Sequence, residues 1–238
     1  MEELARRTII SKQVNMMLTY LFISVLLASN ANGLTRKEIR RFKADTYTEQ
    51  NTGLQGTVSV TTTQGTHTIV SNGIPDHATA DYPTQRNPNN IIEQSYSFTV
   101  PKNPSVADQS TALNMGPIGI AVNGIPFYNP WTRENTDAVE SETFDECDGH
   151  PDGRGRYHYH KMPSSCVFNI RDGIASTIIG VALDGFPIYG PIDEDGTELT
   201  SADLDDCHGK VSSDGSYRYH TTEDFPYILG CYRGTVNN

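Results

Sequence analysis

The chain has 238 residues, 36 % of them hydrophobic, and a formal charge of −11. That supports one sizeable domain core or two small tightly joined ones. It excludes the cationic surface that drives most nucleic-acid binding, so cations are the expected small partners.

At the N-terminus Arg6, Arg7 and Lys12 precede "MMLTYLFISVLLA" (16–28), followed by the small residues Ser29 and Ala31. This is the pattern of a secretory signal peptide, predicted over residues 1–33 with cleavage near 31–33. The apolar run falls short of the roughly 20 residues that span a bilayer, so no membrane anchor is expected and the chain should be secreted and extracellular. Residues 34–95 read as a basic segment and a strand-rich N-terminal part of the same domain. The dibasic pairs Arg36-Lys37 and Arg40-Arg41 leave propeptide processing near Arg40 open beside the plainer reading, a solvated basic turn of helix. "LQGTVSVTTT", "THTIVS" and "IIEQSYSFTV" alternate apolar with polar residues and predict strands of one sheet system. "SNGIPDHATADYPTQRNPNN" and "PKNPSVADQSTALNMGP" predict long loops. His67 and His77 are expected on the surface.

The second half repeats itself, over 116–166 and 178–231. "IGIAVNGIPFYNP" (118–130) parallels "IIGVALDGFPIYGP" (178–191), "DECDGH" (145–150) parallels "DDCHGK" (205–210), and "YHYH" (157–160) parallels "YRYH" (217–220). Cysteine and tyrosine stand ten residues apart in both copies, Cys147 to Tyr157 and Cys207 to Tyr217. Each copy opens with an apolar run broken by Asn-Gly or Asp-Gly, which predicts a β-hairpin with a type I′ turn. Four cysteines in a secreted chain imply two disulfides. Of three connectivities the repeat favours Cys147–Cys166 and Cys207–Cys231. With helical periodicity scarce, the predicted fold is all-β: a disulfide-stabilised sandwich or barrel-like domain with an internal pseudo-duplication.

"GPIGIAVNGIPFYNP", "CDGHPDGRGRYHYHKMPSSC", "LDGFPIYGP" and "DLDDCHGK…DFPYILGCYRG", in that order over residues 96–234, resemble the landmarks of the YHYH-domain protein family. The resemblance implies secreted or surface-associated proteins, often parts of larger exoproteins, and assigns no biochemical activity. The second copy departs from the family pattern, with Arg218 in place of histidine in YHYH and Lys210 in place of the histidine after Cys-x-Gly.

Alternate residues of a strand share a face, so His158 and His160 point one way and Tyr157 and Tyr159 the other. An HxH pair supplies two imidazoles, too few for a closed tetrahedral site. His150 is the expected third donor, and His220 and His208 are expected from the second copy, at the junction between copies. Imidazoles without a free thiolate favour copper or zinc. Asp145, Asp148, Asp205 and Asp206 would ligate or orient the histidines. A purely structural reading, with the histidines bonded to backbone, stays open. It would make the protein a component of an extracellular or mineralised (skeletal or shell) organic matrix, its partner a mineral surface. The segment 191–206 holds seven carboxylates but not EF-hand spacing, leaving a weak calcium site or a solvated loop. "GRGR" (153–156) is too short for a phosphate cradle. Trp131 is expected in packing. No catalytic residue is assigned: there is no GxSxG elbow, and the cysteines are explained as disulfides.

Overall fold

The computed structural model describes residues 33–163 and 166–236; the predicted signal peptide lies outside the described residues but for Gly33. The basic segment forms a single helical turn, α1 (Arg36–Ile39), closed by a capping box between Thr35 and Glu38. The strands follow as β1 (Val58–Thr62), β2 (Thr66–Ser71), β3 (Tyr96–Pro101), β4 (Val106–Thr111), β5 (Pro117–Ala121) and β6 (Pro126–Tyr128). A second short helix, α2 (Ala138–Ser141), precedes β7 (Gly149–Pro151) and β8 (Tyr157–Tyr159). The chain ends in β9 (Ile178–Ala182), β10 (Pro187–Tyr189), β11 (Gly209–Val211), β12 (Tyr217–His220) and β13 (Tyr232–Gly234).

Among the described residues three open sheets, none closed into a barrel, make an all-β, sandwich-type fold held by two disulfides, Cys147–Cys166 and Cys207–Cys231. The eight-stranded sheet has the order β11-β12-β10-β9-β5-β6-β8-β7. That order is a palindrome of the two copies. At its centre β5 and β9 pair antiparallel, with Ile120 opposite Val181, and these two are repeat mates. The internal duplication of the sequence is thus a pseudo-two-fold through the middle of the sheet. Ile118, Ile120, Ile179, Val181, Phe127 and Phe186 bury there almost completely.

Four sequence expectations give way to the structure. β1, β2 and β3 form a sheet of their own rather than extending the large one; Ile69 and Val100 turn from it into the shared core. The stretch 101–117, expected as a loop, contains β4, which pairs with β13. Its side chains are mostly exposed, so backbone pairing holds it and no apolar alternation marks it.

The hairpins at 123–124 and 184–185 form, but not through type I′ turns. Only the glycines have positive φ, +91° at both Gly124 and Gly185. An i to i+3 bond precedes each, Gly124 N–H to Ala121 O at 2.9 Å and Gly185 N–H to Ala182 O at 2.9 Å. This is the three-residue loop closed by a left-handed glycine. Asn123 and Asp184 take the right-handed position of that turn, and their side chains turn inward, each toward a tyrosine hydroxyl.

Those tyrosines are the second layer of the repeat. Tyr157 and Tyr159 are fully buried, as is Tyr219, and Tyr217 nearly so. A buried hydroxyl needs a partner. Tyr157 donates to Asp145 at 2.8 Å and Tyr217 to Asp205 at 3.0 Å, while Tyr219 donates to Asp184 at 2.6 Å. Tyr159 accepts from the Asn123 amide at 3.1 Å and donates to His77 Nε2 at 2.6 Å. His77 is therefore a buried acceptor rather than a surface residue, and His67, in β2, is buried as well.

Gly149 and Gly209 lie directly under the Tyr157 and Tyr217 hydroxyls, and a Cβ at either would collide with them. Gly149→Ala and Gly209→Ala should each cost about 1–3 kcal/mol by overpacking. Gly153→Ala, which meets nothing within 4 Å, should change stability by less than about 0.5 kcal/mol. Urea unfolding of the disulfide-intact proteins checks both; equal stability of the three variants would contradict the packing described.

Candidate metal centre

The antiparallel β7–β8 ladder sets His150 directly opposite His158, and His160 follows two residues on, on the same face. With Tyr157 and Tyr159 committed to the core, the imidazoles must take the other side. There the ring of Tyr128 stacks on His158 at 3.8 Å between centroids, and Phe144 packs against His150 at 4.6 Å. All three histidines are buried, between 3 and 7 % exposed.

Each ring is oriented by a backbone carbonyl. His150 Nδ1 meets Thr143 O at 2.9 Å, His158 Nδ1 meets Arg156 O at 2.9 Å and His160 Nδ1 meets Asn129 O at 2.8 Å. A carbonyl only accepts, so each Nδ1 carries a proton and Nε2 is the ring atom left to face the cluster. Those Nε2 atoms face one another. His158 Nε2 lies 3.1 Å from His150 Nε2 and 3.1 Å from His160 Nε2. Burial, reinforced by His160 and His150 alongside, holds His158 well below the ordinary imidazole range, so protonation does not relieve the contact there.

Glu142 completes the group. Its Oε2 lies 3.0 Å from His150 Nε2 and 3.4 Å from His160 Nε2. Burial opposes its charge, but hydrogen bonds from His150 and His160 outweigh that and hold it well below the usual carboxylate range. The ligand atoms of Glu142, His150, His158 and His160 all lie within 4.8 Å of one another, a geometry able to hold a metal ion. The sequence reading missed Glu142. Its only signal is its place just after α2, whose N-terminus Asp137 caps.

The second copy does not contribute. Lys210 stands opposite Arg218, in the register that His150 and His158 hold in the first copy. Arg218 lies over the Tyr189 ring at 4.4 Å, where His158 lies over Tyr128. Its Nε donates to His220 Nε2 at 3.2 Å, and its guanidinium pairs with Glu194 at 2.9 Å while Lys210 pairs with Asp193 at 2.5 Å. His220 keeps the carbonyl bond of its mate His160, with Nδ1 on Gly190 O at 2.9 Å, but its free nitrogen serves arginine. His208 occupies a left-handed turn position, φ 74°, matching Asp148 in the first copy. Its Nδ1 donates to Ile228 O, and its Nε2 lies 3.1 and 3.0 Å from the Ser201 and Thr222 hydroxyls. The expected junction site with His220 and His208 therefore does not form, because both rings are spent within their own copy.

The carboxylates divide similarly. Asp145 and Asp205 brace the turns after them, each accepting from the Cys and Gly amides as well as from tyrosine. Asp148 pairs with Lys161 at 2.9 Å. A further group, His77 with Cys147 and Cys166, offers no thiolate, since both sulfurs are in the disulfide.

A family model described as YHYH protein matches residues 97–200 and 192–234. The chain belongs to the YHYH family. No curated protein and no solved structure matches it. The YHYH motif is strand β8 with the residue that follows: its tyrosines face the core and its histidines the metal-competent cluster.

His220 offers a measurement independent of any metal. Burial, opposed by the Gly190 carbonyl bond and assisted by Arg218, lowers it from 6.5 to about 4. The unfolded chain therefore takes up this proton first as pH falls. Its contribution to stability is full above about 6.5 and is lost between there and about 4, some 3 kcal/mol in all. NMR titration of the His220 ring in metal-free protein should give a midpoint near 4. Arg218→Met should raise that midpoint; no movement would show that the guanidinium does not bear on His220.

Proposed function

We propose that this YHYH protein is an extracellular binder of one transition-metal ion, zinc or copper, held by His150, His158 and His160 with Glu142 as fourth donor. One observation carries the reading: three buried imidazoles, each fixed by a backbone carbonyl, turn their Nε2 atoms toward one another, His158 Nε2 lying 3.1 Å from each of the other two. Three nitrogens about 2.0–2.1 Å from a tetrahedral zinc lie roughly 3.3 Å apart, so the spacing is near that of a coordination sphere. The carbonyls then serve as the outer partners that set tautomer and ring direction. The second copy supports the reading from the opposite side, because where it lacks two histidines it supplies two cationic side chains.

Two disulfides support an oxidising compartment, in keeping with residues 1–33 as a cleaved signal peptide. We read residues 34–95 as part of the same domain as the YHYH region 96–234. No catalytic residue is proposed. The alternative, a matrix component binding calcium weakly, has less support. The acidic segment spends Asp193 and Glu194 on Lys210 and Arg218, and Asp203 on capping Thr200.

Calorimetric titration with Zn(II) and Cu(II), with metal content measured on the same samples, tests the proposal. One equivalent should bind below micromolar Kd. His158→Ala and His160→Ala should lose more than the ~10–100-fold typical of removing an outer partner. Glu142→Gln should weaken binding, and His220→Ala and His208→Ala should leave it unchanged. Lys210→His/Arg218→His should add a second equivalent. Absence of zinc and copper binding in the disulfide-intact protein would overturn the reading.

A further inference from the structure

The histidine cluster forms part of the wall of a cleft of roughly 790 Å³, within the ~300–1,000 Å³ of small-molecule sites. The wall runs against the charge of the chain. Arg86, Arg133, Arg154 and Arg156 all line it, in a protein of formal charge −11. They come from three separate segments: the loop after β2, the turn before α2, and the β7–β8 connection. Two of these segments are tied together. Asn87 and Asn89 donate to Pro151 O at 3.0 and 3.1 Å, and Ile92 N–H donates to Gly155 O at 2.9 Å.

Among the described residues, Arg156 alone of the four cations has a counter-ion, Asp152, at 2.5 and 2.7 Å. Arg86, Arg133 and Arg154 are exposed and, among the described residues, stand in no ion pair. The carboxylates on the wall are Asp152, Glu134 and Glu142, the last held by histidines. Exposed apolar groups share the cleft: Met115 and Trp131, 56 and 38 % exposed.

We propose that this cleft binds a small organic anion, its carboxylate or phosphate received by Arg86, Arg133 and Arg154 beside the histidines, and its carbon body against Met115 and Trp131. Guanidinium forks match the planar carboxylate and the phosphate edge, and each bond is charge-assisted. The recognition is by side chains, so it differs from the backbone cradle that "GRGR" is too short to make. A direct contact between the anion and the metal rests on the metal reading; the arginine wall does not.

The chain has a single tryptophan, Trp131, on the wall, so its fluorescence reports occupancy directly. Benzoate, phenyl phosphate, inorganic phosphate and uncharged benzamide are titrated into the full mature protein, metal-free and zinc-treated, with zinc content measured in parallel. The organic anions should bind tighter than phosphate and at least tenfold tighter than benzamide. Arg86→Gln/Arg133→Gln/Arg154→Gln, all at exposed positions, should lose tenfold or more while keeping its zinc content. Met115→Ser should narrow the gap between benzoate and phosphate. Equal binding by the triple variant, equal binding of benzamide, or no response to either organic anion below about 10 mM would overturn the proposal. Arginine-dependent anion binding by a protein that takes no zinc would leave this proposal standing and the metal reading overturned. Zinc binding without anion binding would do the reverse.

Discussion

The burial of a Tyr-x-Tyr pair on one face of a three-residue strand governs the rest of this architecture. A phenol brings more apolar surface into a core than most side chains, but its hydroxyl must be paired there. Each copy meets that demand twice, with an Asp that opens the cysteine turn and with the polar residue of a hairpin loop. The pairs are Tyr157–Asp145 and Tyr159–Asn123 in one copy, Tyr217–Asp205 and Tyr219–Asp184 in the other. Gly149 and Gly209 are what remains possible beneath the hydroxyls. Each disulfide starts two residues beyond the same Asp, so covalent bond, turn and phenol pairing reinforce one another.

Once the tyrosines are committed, the strand period leaves no choice about the histidines. Facing the cleft, each is oriented through Nδ1 by a backbone carbonyl, that of Arg156 on the same segment for His158 and those of Thr143 and Asn129 on neighbouring segments for His150 and His160. The site is thus assembled from β7, β8, the end of β6 and the residues after α2, all placed by the core behind it. This arrangement is rigid in the sense that matters for coordination, because neither ring tautomer nor ring direction is free.

Much of this was legible in the sequence, and the reasons for the rest are physical. The duplication, the strand character and the grouping of His150 with His158 and His160 follow from spacing and from the period of two. Glu142 was not legible, since a glutamate after a four-residue helix looks like any solvated carboxylate. His208 misled because its neighbour in sequence, Cys207, matches Cys147, yet the turn gives position 208 the role of Asp148. β4 escaped because an exposed strand held by its ladder carries no apolar alternation. His77 escaped because its partner Tyr159 lies 82 residues away.

The two copies put different chemistry on the same frame. Stacked on Tyr128 and bonded to a carbonyl, His158 meets two further Nε2 atoms in a cluster able to hold a metal ion. Stacked on Tyr189, Arg218 is itself the positive group, and His220 accepts from it in the way His160 would coordinate an ion. Lys210 and the counter-ions Asp193 and Glu194 finish that site without any ligand from outside. The charge is internal in the second half, while the first half offers a metal-competent cluster in the same place. A duplicated fold can part with one binding site at little structural cost when a tethered cation takes the position, because the carbonyl on Nδ1, the aromatic beneath and the tyrosines behind all keep their partners. The difference between the copies is then confined to the residues of two short strands that face away from the tyrosine core, and the half that carries His150 and His158 is the one whose cleft holds no tethered cation in that position.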